Sequence, residues 1–166
     1  MDLDSALTGK PVEGVTATEI LRADHREVRR LFDEFESVRA DRHAAKVVAQ
    51  ALSLQLELHA AIEHDVFYPA ASEVDPERVE HANRMHEAVA AAAKRVRDDA
   101  DADRPLDAPI AELKALVEPH VLEEEQRLFP RIEKRPETWQ RELGAAIIKR
   151  KEELTGSADS LENPAT

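Results

Sequence analysis

Two stretches of this chain repeat a set of residues with metal-binding chemistry. The first carries His59, Glu63 and an ending Phe67-Tyr68-Pro69; the second carries His120, Glu124 and Leu128-Phe129-Pro130. Corresponding positions lie 61 residues apart, since 120 − 59, 124 − 63 and 130 − 69 agree, and the same offset carries His25 onto His86. Imidazole and carboxylate donors without sulfur suit iron, manganese or zinc. The chain has no cysteine, so any metal falls to His, Asp and Glu. The candidate ligands are therefore His25, His59, Glu63, His86, His120 and Glu124.

Helices are the elements that must position them. His and Glu four residues apart project from one face of an α-helix. Leu21, His25, Val28, Phe32 and Phe35 mark one face of a first helix, which the Thr16-to-Glu19 capping box starts. The second helix, from about Asp41 to Tyr68, has the stripe Leu52, Leu56, His59, Glu63 and Phe67, with Pro69 as its stop. Asp75 and Pro76 open a third, with Val79, Ala82, His86, Val89, Ala93 and Val96, which dissolves in the acidic run Asp98–Asp103. The fourth has Leu113, Val117, His120, Glu124 and Leu128, a kink expected at Pro119 and a stop at Pro130. At 1.5 Å per residue, His25 lies roughly 10 Å from the start of its helix, and His59 and Glu63 roughly 7–14 Å from the end of theirs. The expected fold is all-α, an up-down-up-down four-helix bundle with an additional C-terminal helix. Antiparallel packing then gathers four His and two Glu in one core layer.

Such a layer demands a partner, because an ionised carboxylate in an apolar core is costly unless paired or metal-bound. No Lys or Arg lies on these stripes. Two facing carboxylates can bridge two metals, each taking two imidazoles. The competing readings are a buried Glu–His hydrogen-bond network and a structural zinc bundle. A haem bundle leaves both Glu unexplained.

Composition agrees with a helical protein: 166 residues, 4 glycines and 4% aromatics. A net charge of −12 argues against nucleic acid or anionic lipid as partner. No run of about 18 apolar residues and no signal-peptide start is seen, so the expectation is a soluble, cytoplasmic protein with no membrane partner. The expected parts are a flexible arm over 1–15, the bundle over 16–133, an amphipathic C-terminal helix over 134–154 and a disordered tail over 155–166. That last helix carries Trp139, Leu143, Ile147 and Leu154, and is the candidate surface for a protein partner or a homodimer.

At residues 16–133 the chain resembles the hemerythrin-like family, the hemerythrin HHE cation-binding domain. The resemblance rests on His25, the His59-x-x-x-Glu63 motif ending in Tyr68-Pro69, His86, and the His120-x-x-x-Glu124 motif ending in Phe129-Pro130. It implies a four-helix bundle around two iron ions with bridging carboxylates and a bridging oxo or hydroxo group, iron standing ahead of manganese or zinc. It also implies dioxygen, peroxide or nitric oxide as small ligand. Oxygen-carrying members have a further His where this chain has Ala82, and an Asp five residues after the fourth-helix His, where this chain has Glu125. Four His rather than five leave coordination positions open. This points away from reversible oxygen carriage and toward turnover, with peroxide decomposition (catalase-like) or related oxidative and nitrosative stress defence as the expected chemistry. The alternative is an oxygen, nitric oxide or iron sensor, or an iron store, without turnover.

The remaining residues read more plainly. His64 points about 100° away from Glu63, and it and Glu125 read as rim residues or outer hydrogen-bonding partners. His81 lies off its stripe and His43 at a helix start. Tyr68 reads as a core cap, with a hydrogen bond to the site or a redox-active phenol as the functional alternative. Trp139 is packing.

Overall fold

The computed structural model describes residues 14–162, with side chains through residue 156. Among them every regular element is helical. Helix α1 is Ala17–Val38; α2 is Arg42–Ile62 and runs on through a widened, π-type turn, Glu63–Phe67, into Tyr68–Ala71. Helix α3 is Pro76–Asp101; α4 is Asp107–Glu123 and runs on through a second π-type turn, Glu124–Leu128, into Phe129–Ile132; α5 is Glu137–Glu162.

The starts follow from local chemistry. Thr16 accepts from the Glu19 amide while the Glu19 carboxylate accepts from the Thr16 amide at 2.8 Å, satisfying donors that the first helical turn leaves open. Asp41 accepts from the amides of His43 and Ala44, and Asp75 from that of Arg78, ahead of Pro76.

The ends correct the sequence reading at four places. Pro69 and Pro130 do not stop their helices. Just before each, the bond pattern lengthens by one residue: the Tyr68 amide donates to the Glu63 carbonyl and the Phe129 amide to that of Glu124. A turn of that width takes up the ring that an ordinary helix interior rejects. The acidic run is likewise helical as far as Asp101, because Ala100 is buried and Lys94 and Arg104 pair with Asp98 and Asp99. Helix α5 continues past residue 154, since no proline intervenes before Pro164. Residues 1–13 of the expected arm and 163–166 of the expected tail lie outside the described residues.

Helix α1 packs on α2, α2 on α3 and α3 on α4, with α1 also reaching α4, the contacts of a helical bundle. The core falls into two apolar clusters. One holds Val28, Phe32, Phe35, Leu52, Leu56, Val89, Val96, Leu113 and Val117. The other holds Leu21, Ile62, Phe67, Tyr68, Ala82, Leu128, Phe129 and Ile132. Along the first three helices one cluster gives way to the other at a histidine: His25 between Leu21 and Val28, His59 between Leu56 and Ile62, His86 between Ala82 and Val89; on α4 the change falls between Val121, next to His120, and Leu128, across Glu124. Both cores thus flank one polar layer.

Helix α5 lies against α1, α2 and the first π-type turn, burying Leu143 and Ile147 in the second cluster. Gly144 permits the approach: a Cβ there would stand 2.4 Å from the Val15 carbonyl oxygen, a backbone atom that cannot swing aside.

Candidate metal centre

All six candidate ligands meet in the polar layer, and all six are buried. Glu63 and Glu124 each open a π-type turn and are fully enclosed. Glu63 Oε1 lies 3.2 Å from His59 Nε2; its Oε2 lies 2.7 Å from His86 Nε2 and 3.9 Å from His120 Nε2. Glu124 Oε2 lies 3.2 Å from His25 Nε2 and 3.6 Å from His120 Nε2. The imidazoles form a chain, with ring centres 4.9 Å apart for His25 and His59, 6.0 Å for His59 and His86, and 4.4 Å for His86 and His120.

These short separations are not ordinary hydrogen bonds. His25 Nε2, His59 Nε2, both oxygens of Glu63, both nitrogens of His120 and Glu124 Oε2 are buried without a hydrogen-bond partner among the described residues. Donor and acceptor directions miss each other although the atoms are close. A buried polar atom left this way costs roughly 1–3 kcal/mol, so this many of them in one layer make a poor closed network. They make a good open one. Two groups, His59–Glu63–His86–His120 and His25–His59–Glu63–Glu124, each have ligand atoms within 4.8 Å of one another, a spacing that could hold a metal ion. Metal–donor bonds of about 2.0–2.2 Å set donors about 3–4 Å apart, so the nitrogen and oxygen set fits.

Electrostatics within the layer favour charge. Burial alone would depress the His59 imidazole, but the Glu63 carboxylate and the contact with Asp24 outweigh it and raise His59 well above its ordinary value. Burial pushes Glu63 up, and the surrounding imidazoles bring it well below the usual carboxylate range. Burial and the two carboxylates push the Tyr68 phenol far upward, so it stays protonated.

Outer partners hold some of these groups and were only partly legible. His25 Nδ1 lies 2.9 Å from Glu125 Oε1, and Arg29 pairs with the same carboxylate. Glu125 thus faces the cluster, although spacing alone put it on a par with His64. His59 Nδ1 faces Asp24 Oδ2 at 3.5 Å, and Asp24 Oδ1 accepts from Lys151 Nζ at 2.5 Å. Asp24 was missed; its one signal in the sequence is an acidic residue directly before His25. The Tyr68 hydroxyl donates to Glu124 Oε1 at 2.6 Å, the hydrogen-bonding role raised from sequence. Phe129, at the corresponding place in the repeat, stacks on His25 with ring centres 5.8 Å apart. His43, His64 and His81 are exposed and stand outside the cluster.

Beside the imidazoles lies a cavity of about 30 Å³, walled by all four histidines and by Val28, Leu56, Val89, Ala93, Val117 and Val121. That is room for little more than one water-sized molecule. On the outer face, a groove between α1 and α4 lined by Arg29, Asp33, Lys114 and Glu118 also reaches His25. No helix among the described residues is long and apolar enough to cross a membrane.

Comparison with curated proteins and with solved structures gave no significant match. The family model for the hemerythrin HHE cation-binding domain, in contrast, matches residues 16–138, a span that includes the whole His/Glu layer. With most of its length matched and a buried His/Glu cluster suited to a metal ion, the chain belongs to the hemerythrin HHE cation-binding domain family.

Proposed function

We propose that the chain is a non-haem di-iron protein that reacts with dioxygen or a small oxidant, hydrogen peroxide decomposition being its chemistry. In this reading His25, His59, Glu63, His86, His120 and Glu124 hold two iron ions with a bridging oxo or hydroxo group, inside an up-down-up-down bundle in the cytoplasm. The carrying observation is the set of buried nitrogen and oxygen atoms in one layer that have no hydrogen-bond partner among the described residues. Iron, when bound, supplies one-electron steps between ferrous and ferric states.

The chain's own residues supply the rest. Glu63 has both oxygens available, while Glu124 offers Oε2 and is held through Oε1 by Tyr68. Glu125 and Asp24 orient His25 and His59 through their Nδ1 atoms, leaving Nε2 turned inward. The apolar cavity walls exclude bulk water and admit a ligand the size of peroxide, dioxygen or nitric oxide. Ala82, buried, offers no donor where oxygen-carrying relatives have His, which supports reaction over carriage.

Purified, iron-reconstituted protein should contain about two iron ions per chain, the count two carboxylate-linked groups allow. It should release oxygen from peroxide, and Glu63→Ala and His120→Ala should abolish that release. Full iron with no peroxide turnover, but with spectra that respond to oxygen or nitric oxide, would favour a sensor or store instead. Absence of bound metal after reconstitution would sink both readings.

A further inference from the structure

We propose that Lys151 is a positioning residue for the metal centre: acting through Asp24 it fixes His59, so that docking of the C-terminal helix and metal occupancy are coupled. The inference rests on the reading of His59 as a ligand. It goes beyond the family, whose match ends at residue 138, before most of α5 begins.

Asp24 is 6% exposed and spans two elements with its two oxygens, Oδ2 toward His59 Nδ1 and Oδ1 toward Lys151 Nζ. A buried carboxylate needs a counter-charge, and removing one partner of such a pair costs more than the pair itself contributes. With Lys151 in place, the Asp24 carboxylate is held at a fixed level beside the imidazole. Its acceptor oxygen favours a proton on Nδ1, which leaves Nε2, 3.2 Å from Glu63 Oε1, as the atom that would take a metal ion. Without Lys151, Asp24 has no cation at this contact and every reason to turn toward solvent.

The position of Lys151 in turn depends on how α5 docks, through Leu143, Ile147 and the close approach at Gly144. Metal bound at His59 and α5 docked at Asp24 therefore favour each other, and linkage makes the effect reciprocal. The adjacent Arg150 supplies an internal control. It pairs with Asp65 at 2.9 Å, in the first π-type turn, and Asp65 also pairs with the exposed His64, which stands outside the cluster.

The test uses the full chain and zinc ion, which is redox-inert, titrated against a chelator, with far-ultraviolet circular dichroism to verify that each variant is folded. Lys151→Met should weaken zinc binding by roughly tenfold or more, Lys151→Arg should restore most of it, and Arg150→Met should stay within about twofold of the parent. Asp24→Asn should weaken binding as Lys151→Met does, and the double variant should be no weaker than Asp24→Asn alone, as expected of residues acting in series. Hydrogen exchange of amides 143–154 should slow when zinc binds the parent chain and should not respond to zinc in Lys151→Met. Parent-like affinity in Lys151→Met, additive losses in the double variant, or equal losses in Arg150→Met would each overturn the coupling while leaving the centre standing. A parent chain that binds neither zinc nor iron would overturn the centre and the coupling together.

Discussion

In the first half of the repeat, α1 and α2, both histidines hand Nδ1 to a carboxylate: His25 to Glu125 and His59 to Asp24. In the second half, α3 and α4, His120 Nδ1 is buried with no partner among the described residues, and Met85 occupies the place that Asp24 has in the first. The halves also differ beside their carboxylates. Tyr68 of the first binds Glu124, whereas its counterpart Phe129 has no hydroxyl to offer Glu63. Helix α5 packs chiefly against the first half, on α1, α2 and the first π-type turn. The six clustered side chains obey a two-fold pattern across the repeat. The contacts outside them do not: the two halves differ in which imidazoles and carboxylates have a hydrogen-bonding partner.

The carboxylates provide the largest test of this difference. Glu63 belongs to both groups of potential ligands and Glu124 to one. Glu63→Ala should therefore strip the chain of metal altogether, while Glu124→Ala should keep the ion held by His59, Glu63, His86 and His120. Elemental analysis of the two purified variants, both checked for helical content, measures this directly. Equal loss from both would show that the carboxylates are interchangeable and the asymmetry confined to the outer contacts.

A smaller effect is expected one step out. Glu125→Gln weakens the acceptor at His25 Nδ1 and should lower metal affinity by roughly tenfold or more. His64→Gln, at the same place in the other half but with a side chain 79% exposed, should not change it. The pair also sets a pH signature in the metal-free protein. Hydrogen bonding to His25 first, and then to Arg29, brings Glu125 from 4.5 down to about 2. A carboxyl depressed on folding contributes stability that is full above its unfolded value and is lost as pH falls through the folded one. Urea midpoints of metal-free protein should therefore fall between about pH 5 and pH 2 more steeply for the parent than for Glu125→Gln. Parallel curves would remove Glu125 from the supporting role.

The clustering of the six side chains was legible in the sequence because a shared helix face is encoded locally: a four-residue step on one helix, repeated at an offset of 61. The caps at Thr16 and Asp75 were legible for the same reason. The outer contacts were not, since Asp24, Glu125 and Lys151 reach partners 35, 100 and 127 residues away. No periodicity encodes such a distance. Pro69 and Pro130 misled because a proline reads as a stop; that both follow an aromatic, at the same offset as the ligands, was the unused sign of a shared turn geometry. The acidic run misled because its charges hid Ala100, a single buried anchor that carries the helix to Asp101.

The smallest expected effect comes from making the two halves alike. Tyr68→Phe places phenylalanine at both repeat positions and removes only the hydroxyl that donates to Glu124 Oε1 at 2.6 Å. In metal-free protein this leaves a second buried oxygen of Glu124 without a donor, and a hydrogen bond to a charged group contributes about 1.5–3 kcal/mol. The denaturation midpoint should fall accordingly. If metal binds as proposed, the freed oxygen would be available to it, as both oxygens of Glu63 are, so metal content should stay at the parent level and part of the lost stability should return. Denaturation of parent and variant, each with and without metal, separates the two contributions. A variant as stable as the parent in the metal-free state would mean that Tyr68 does not hold Glu124. A variant equally destabilised in both states would mean that the hydroxyl supports the fold, leaving the difference between the carboxylates to their neighbouring imidazoles.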